Sequence, residues 1–490
     1  MPFLKLTIRP GISRDNTSYT NEGGWYAGDK VRFRSNMPQK IGGWKKYGPT
    51  TFLGVCRQMW NWVTTFGDNL LALGTNSKVY LEAGGYYNDI TPLRASTPTL
   101  TSPNTNNCIS TSAGSVVVTV TLGTTHGATT GNYVTISGVA GTTIGGIPVS
   151  QINGNQQVTV TGTNTFTFVA QTAATSNATS AGGTGITIDF EIDAGYPFPT
   201  SGYGWGTGAW GHDGWGMGST SPIVLPQRDW WFDNFDNDLV MNIRNGPIYW
   251  WERGLIVNPG VALASRAISM SDYTYNWSIA NGDSTTTAAG YRDAVPVKVM
   301  QVLVSQQDKH LIAFGAVPYG STSEDDYDPM LIRWASQDVP NDWIPTALNS
   351  AGDLRVSRGS KIVRAMPTRQ EILFWTDSNL YTLQYLGTTD VFGIQEYSDN
   401  ISIISPRACI SAANITYWMG QDKFYAYTGR IETLPCTLRN EVFENISMSQ
   451  VDQIVCGTNE GWNEVWWFYP AHGNSYNSNY VIYNYHDQIW

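Results

Sequence analysis

Residues able to do chemistry are thinly spread in this chain. Five histidines, His126, His212, His310, His472 and His486, are scattered through 490 residues. None stands in an HExxH pattern, and there is no Gly-x-Ser-x-Gly elbow or Walker loop. Glu324-Asp325-Asp326-Tyr327-Asp328 has the oxygens for a divalent cation but lacks the EF-hand spacing with its Gly and terminal Glu, so it reads as a solvated loop. Asp233-Asn234-Phe235-Asp236-Asn237-Asp238 falls where a turn belongs, and Asx turns account for it. Gly206, Gly208 and Gly211 match a dinucleotide fingerprint by letter, with no strand before them or helix after. Ser336-Gln337-Asp338 opens a Ser-x-Asp-x-Gly repeat of the sialidase kind, but Pro340 stands where the Gly belongs. Paired carboxylates for glycoside hydrolysis are defined by separation in space and leave no linear signature. His310 begins a predicted core strand and reads as a hydrogen-bonded structural residue. Cys56, Cys108, Cys409, Cys436 and Cys456 are odd in number and lack CxxC spacing, which suits reduced core thiols. No catalytic, metal or cofactor residues are assigned.

Charge is more informative. The net charge is −10, yet the first fifty residues carry nine cations (Lys5, Arg9, Arg14, Lys30, Arg32, Arg34, Lys40, Lys45, Lys46) against Asp15, Glu22 and Asp29, which leaves −16 for the remainder. From Ala95 to Gln227 there is no Lys or Arg. This asymmetry predicts a partner that docks on the N-terminal part and a body that repels polyanions. Lys30, Arg32, Arg34, Lys40, Lys45 and Lys46 are the candidate docking residues. Val31-Arg32-Phe33-Arg34 alternates like an edge strand, with Gly-Gly-Trp at either end of residues 23–44. It reads as a strand pair clamped by Trp25 and Trp44, as an acidic or phosphate contact through Arg32 and Arg34, or as both.

The elements that must position these residues are short strands. In Asn69 to Gly85 an apolar run, Leu70 to Leu73, stops at Gly74-Thr75-Asn76-Ser77 and resumes as Val79-Tyr80-Leu81, a hairpin pattern. It recurs at 239–251, 310–335, 372–383, 416–428 and 464–485, making six copies. With 50 Gly, 20 Trp, 26 Tyr and only 14% charged residues, the composition suits packed strands better than long exposed helices. The predicted fold is all-β: a β-propeller of about six blades, interrupted by a small β-barrel or sandwich. The predicted divisions are residues 1–96 (basic segment and first blade), 97–194 (inserted β module), 195–221 (Gly/Trp-rich linker) and 222–490 (remaining blades). Trp205, Trp210 and Trp215 in the linker mark either a flexible connector or an ordered ribbon contacting a neighbouring subunit or appendage. Trp490 ends the last strand abruptly, so either the N-terminal strand completes the final blade or the chain is clipped. No 18-residue apolar run predicts a membrane span, and the N-terminus lacks the pattern of a secretory signal.

Three stretches carry a family resemblance: KLTIRPGISRDNTSYTNEGGWYAGDKVRFRSNMPQKIGGW, LLALGTNSKVYLEAGGYYNDITP and IRWASQDVPNDWIPTALNSAGDLR. Together they resemble the packaged-DNA stabilisation proteins that form the tail nozzle of short-tailed phages. The resemblance covers the first hundred residues and part of the later blades, and 97–193 looks like an insertion. It implies a structural virion protein without catalytic residues, made in the host cytoplasm and placed in the short tail. It further implies a homo-oligomer, a hexameric ring, below the portal and adaptor rings, with a tail needle or plug, tail fibres or spikes, and a lumen for DNA. An acidic body fits that lumen, since each neutralised phosphate would add affinity and act as a brake. The alternative is a virion-associated glycan-binding or glycan-cleaving propeller, with Trp205, Trp210 and Trp215 stacking on sugars. Residues 131–169 also resemble a small β module common in phage structural proteins.

Overall fold

The computed structural model describes residues 8–15, 17–94, 107–201, 224–253, 266–388 and 390–490. They are built mainly of antiparallel sheets. Six of these follow one plan: sheet 1 (56–89), sheet 2 (230–269), sheet 3 (299–355), sheet 4 (362–398), sheet 5 (409–434) and sheet 6 (455–484). Each is a meander with its strands hydrogen-bonded in chain order; the first five have four strands and the last has three. The six hairpins legible in the sequence are the second and third strands of these sheets. Trp205, Trp210 and Trp215 lie outside the described residues.

Residues 50–197 and 228–295 form one compact unit. Sheets 1 and 2 share a core in which Leu70, Ala72, Val79 and Leu81 meet Trp230, Phe232, Leu239, Met241 and Trp251, and their first strands lie together. In sheet 1, Thr75 closes the hairpin turn: its Oγ1 donates to the Lys78 carbonyl (3.0 Å) and accepts from the Lys78 amide (2.8 Å). Thr376 makes the same pair of bonds with Asn379 in sheet 4 (3.2 and 2.9 Å). The match extends to the residue after each Thr. Asn76 Oδ1 accepts from the Val55 amide and Asp377 Oδ1 from the Ser360 amide, both at 2.8 Å. The residues just before those amides, Gly54 and Gly359, have φ +90° and +110°. A side chain there would be strained and would press on the Thr.

The module inserted after sheet 1 is a sandwich. A three-stranded sheet built around Tyr133–Ser137 faces a five-stranded sheet containing Val117–Thr121 and Thr165–Val169. Val134, Ile136, Ile188 and Phe190 from one interlock with Val118, Val120, Phe166 and Phe168 from the other. Between the two anticipated forms the sandwich is the one observed. Residues 107–188 contain no Asp, Glu, Lys or Arg.

Two helices in this unit were not anticipated: α1 (Met270–Ala280) and α2 (Thr285–Ala294). Ser269 caps α1, its Oγ accepting from the Asp272 amide (3.1 Å) and donating to that carboxylate (2.6 Å). Ser284 caps α2 in the same way through the Thr287 amide.

The second unit holds residues 1–49, 198–227 and 296–490. Here Ile312, Phe314, Phe374 and Leu383 join sheets 3 and 4, while Trp375, Trp418, Phe424, Trp467 and Trp490 are in a core running through sheets 4, 5 and 6. The first strands of sheets 3 and 4, and of sheets 5 and 6, lie together. The N-terminal residues belong to this unit because they bond to its C-terminal part. The Ile12 amide donates to the Trp490 carbonyl (2.7 Å), the Arg14 amide to the Thr437 carbonyl (2.8 Å) and Thr437 Oγ1 to the Ile12 carbonyl (2.6 Å). The N-terminal strand does not add itself to sheet 6. Among the described residues that sheet keeps three strands, and the strand pairs only within its own hairpin.

Candidate docking surface

The basic segment folds as two strands, β1 (Val31–Arg34) and β2 (Met37–Lys40), joined by Ser35-Asn36. Both linking residues have positive φ, +51° and +64°, as a two-residue hairpin turn matching strand twist requires. The closing pair is Arg34 opposite Met37, followed by Phe33 opposite Pro38. Bonded and non-bonded pairs alternate, so the Pro38 nitrogen faces the free edge of β2 and offers no donor there. Strand addition at this edge is blunted, and recognition falls to the side chains.

The structure divides the six candidate docking residues. Arg32 points inward with its side chain only 8% exposed, forms an ion pair with the buried Glu464 at 3.0 Å, and lies over the Trp462 ring at 4.1 Å. Arg32 is therefore an anchor for the hairpin on sheet 6, not a docking residue. Arg32 and Arg34 share one face of β1, but only Arg32 is covered, and Arg34 beside the turn stays open to solvent. Burial raises the Glu464 carboxyl above its ordinary range, against the opposing pull of Arg32 and of the Trp466 Nε1 hydrogen bond. Arg34 is exposed and touches the edge of the same stack, 5.3 Å from the Trp462 ring. Lys30, Lys40, Lys45 and Lys46 are exposed, with Lys30 loosely paired to Asp29 at 3.5 Å. From Lys30 to Gly67 the sequence has no acidic residue.

The expected aromatic clamp is only half present. Trp25 packs on Phe33 with centroids 6.3 Å apart, whereas Trp44 is 93% exposed, beside exposed Tyr47 and with exposed Met37 on β2. Exposed cations and exposed large apolar side chains are thus interspersed along residues 30–47. Next to the chain entering the hairpin, Arg14, Asp29, Glu441, Tyr469, Asn479 and Tyr480 line a cleft of about 360 Å³. Arg14 is ion-paired with Glu441, and the Tyr480 hydroxyl accepts from the Lys30 amide at 2.9 Å.

Residues singled out for other chemistry take structural places. Glu324–Asp326 form one helical turn, with Ser323 Oγ accepting from the Asp325 amide and Ser321 Oγ donating to Asp326. Among the described residues no group of three His, Cys, Asp or Glu is placed to hold a metal ion. Ser336–Asp338 lies between the third and fourth strands of sheet 3. There Asp342, not Asp338, ties the loop, accepting from Asn349 Nδ2 (2.9 Å) and the Ile344 amide (3.3 Å). His310 is fully buried; its Nδ1 bonds the Ala335 carbonyl at 2.8 Å, and burial among Tyr385 and Phe392 lowers its pKa.

One cluster escaped the sequence reading. Lys78, 1% exposed, bonds Asp89 (2.7 Å) and Glu191 (2.8 Å), and Arg266 bonds the same two carboxylates (2.6 and 3.0 Å). The only linear signal was a lysine directly before the apolar run Val79-Tyr80-Leu81.

No family model and no curated protein matches the sequence. Among solved structures, the chain is similar to a phage phi92 endosialidase at 13% identity, covering 89% of this chain and 55% of that one with a TM-score of 0.22. It is similar to the extracellular domain of a putative one-component system of B. thetaiotaomicron at 10% identity, covering 87% and 38%, TM-score 0.31. A third likeness, to the Porphyromonas gingivalis type-IX secretion component PorZ, has 10% identity, covers 82% and 56%, and scores 0.29. The chain thus spans between about two fifths and just over half the length of these proteins.

Proposed function

We propose that this chain is a structural virion protein, the tail nozzle of a short-tailed phage, and that its six meander sheets are the blades of a propeller. The observation that carries the reading is the segment around the β1–β2 hairpin: exposed cations and aromatics, with no acidic residue from Lys30 to Gly67, anchored through Arg32, in an otherwise acidic chain. Lys30, Arg34, Lys40, Lys45 and Lys46 dock onto an acidic partner ring at the head-to-tail connector, with Trp44 and Tyr47 supplying apolar contact. Copies of the chain form a hexameric ring whose acidic lumen passes DNA without holding it; a plug or needle and fibres or spikes attach to the ring. Imaging of assembled particles tests this: a sixfold ring on the virion axis labelled by antibody to this chain is expected, and labelling away from the axis overturns it.

A second reading, glycan binding or cleavage at the virion surface, is favoured by the cleft beside Ala27–Asp29, where Tyr469 and Tyr480 stand beside Arg14, Asp29 and Glu441. Aromatic faces beside polar side chains are suited to sugars. A polysaccharide-release assay with the purified chain, alongside a glycan array, separates the two readings.

A further inference from the structure

The sandwich and sheets 1 and 2 have separate hydrophobic cores. What joins them is a narrow neck of two chain segments and a polar cluster at its base. The neck is paired at Leu93 and Glu191, with the Arg94 amide donating to the Phe190 carbonyl (2.8 Å) and the Ile192 amide to the Pro92 carbonyl (3.1 Å).

At its base the Glu191 carboxylate, 1% exposed, accepts from Lys78 Nζ (2.8 Å), Arg266 (3.0 Å) and Asn155 Nδ2 (2.9 Å). Lys78 comes from sheet 1 and Asn155 from the sandwich. Arg266 spans both, donating to Asp89 on sheet 1 (2.6 Å) and to Thr135 Oγ1 on the sandwich (3.1 Å). The ring of Tyr133 lies 4.9 Å from Lys78 Nζ. Tyr80 is the remaining titratable group facing the cluster, its hydroxyl raised to about 12 chiefly by burial, with Asp89 and Glu191 adding to it.

Sheet 4 shows what this position is without an insert. At the residue matching Lys78 it has Asn379, whose Nδ2 donates to Glu396 on the fourth strand at 2.7 Å. A neutral residue facing one acid is replaced in sheet 1 by a cation facing two, and the second acid arrives with the insert.

We propose that these four charges are a clamp that holds the sandwich at a fixed angle to sheets 1 and 2, and that neutralising one of them frees the sandwich to swing as an intact folded arm. Two cations and two anions balance, so losing one leaves a buried charge without its counterpart and favours opening to water. The sandwich keeps its own core, so opening the neck does not unfold it.

Hydrogen exchange on the full chain tests this with two variants. In Glu191→Gln, the neck amides of Arg94 and Ile192 are expected to exchange at least tenfold faster, while those of the sandwich core (118–120 and 166–168) stay at the wild-type rate. In Lys78→Met/Glu191→Leu the pair is replaced by apolar side chains and Asp89 still faces Arg266. There the neck is expected to exchange within about threefold of wild type. Loss of protection in neck and core together in Glu191→Gln, or no change in either, overturns the proposal. So does equal release in both variants, which would make shape and not charge balance the holding force. Should Glu191→Gln fail to fold, Asp89→Asn at pH 7 reads the same segments: neck release with the core protected is expected, and joint loss or joint retention overturns the clamp.

Discussion

Arg32 and Arg34 are two positions apart on one strand, touch one tryptophan, and do different things. Arg32 lies in a closed contact with Glu464, and breaking a buried pair by removing one partner costs about 3–5 kcal/mol. Arg32→Ala is expected to lose stability on that scale at pH 7, whereas Arg34→Ala should change it by less than about 0.5 kcal/mol. The sign of the pH effect follows from Glu464, whose carboxyl binds its proton more tightly folded than unfolded. Stability in Arg32→Ala should therefore recover as pH falls through the raised carboxyl range, read from urea midpoints at pH 8 and pH 5. His310 acts in the opposite sense. Burial depresses its pKa, so the unfolded chain takes up the proton first, and stability should decline as pH falls below about 6.5. His310→Gln is expected to remove that part of the slope.

At the scale of elements, the repeated turn makes a paired prediction. Thr75 and Thr376 each hold a buried amide and carbonyl. Thr75→Val and Thr376→Val should each cost about 1–3 kcal/mol, the desolvation of the Lys78 and Asn379 amides, while the two carbonyls keep the backbone amides of residues 75 and 376. Thermal melts of the two single variants and the double variant test this, with near-additive losses expected because the sites share no partner. Ser269→Ala at the start of α1 should cost about 1 kcal/mol.

The same elements show what could be read in advance. Each hairpin was visible because a short apolar run, a turn of Gly, Asn, Asp or Ser, and a second apolar run agree locally. The helices were missed although Ser269 and Asp272 stand in a capping-box pattern, since α1 interleaves polar and aromatic residues without a clear apolar stripe. The β1–β2 hairpin was legible from alternation and charge. The inward turn of Arg32 was not, because it depends on Glu464 and Trp462, more than four hundred positions away. The Lys78 cluster was hidden for the same reason: Glu191 and Arg266 reach it only through the return of the insert and the entry to the last strand of sheet 2.

For the whole molecule, the uneven charge predicts how assembly should respond to ions. If the hairpin docks on an acidic ring, Lys45→Glu/Lys46→Glu should reduce incorporation into particles at least tenfold while leaving the melting temperature of the free chain within about 2 °C. Quantitative immunoblotting of purified virions measures the first and calorimetry the second. Wild-type docking should weaken as salt rises past physiological strength, because exposed pairs are screened within about 8 Å there.

The sandwich will not share that response. With no Asp, Glu, Lys or Arg from 107 to 188, its surface is electrically quiet. It gathers little ionic atmosphere, exerts no long-range pull and is felt only on contact. Whatever meets it is judged by shape and hydroxyl geometry alone. One chain thus presents a hairpin that is sensed at a distance and a sandwich that is sensed only by touch.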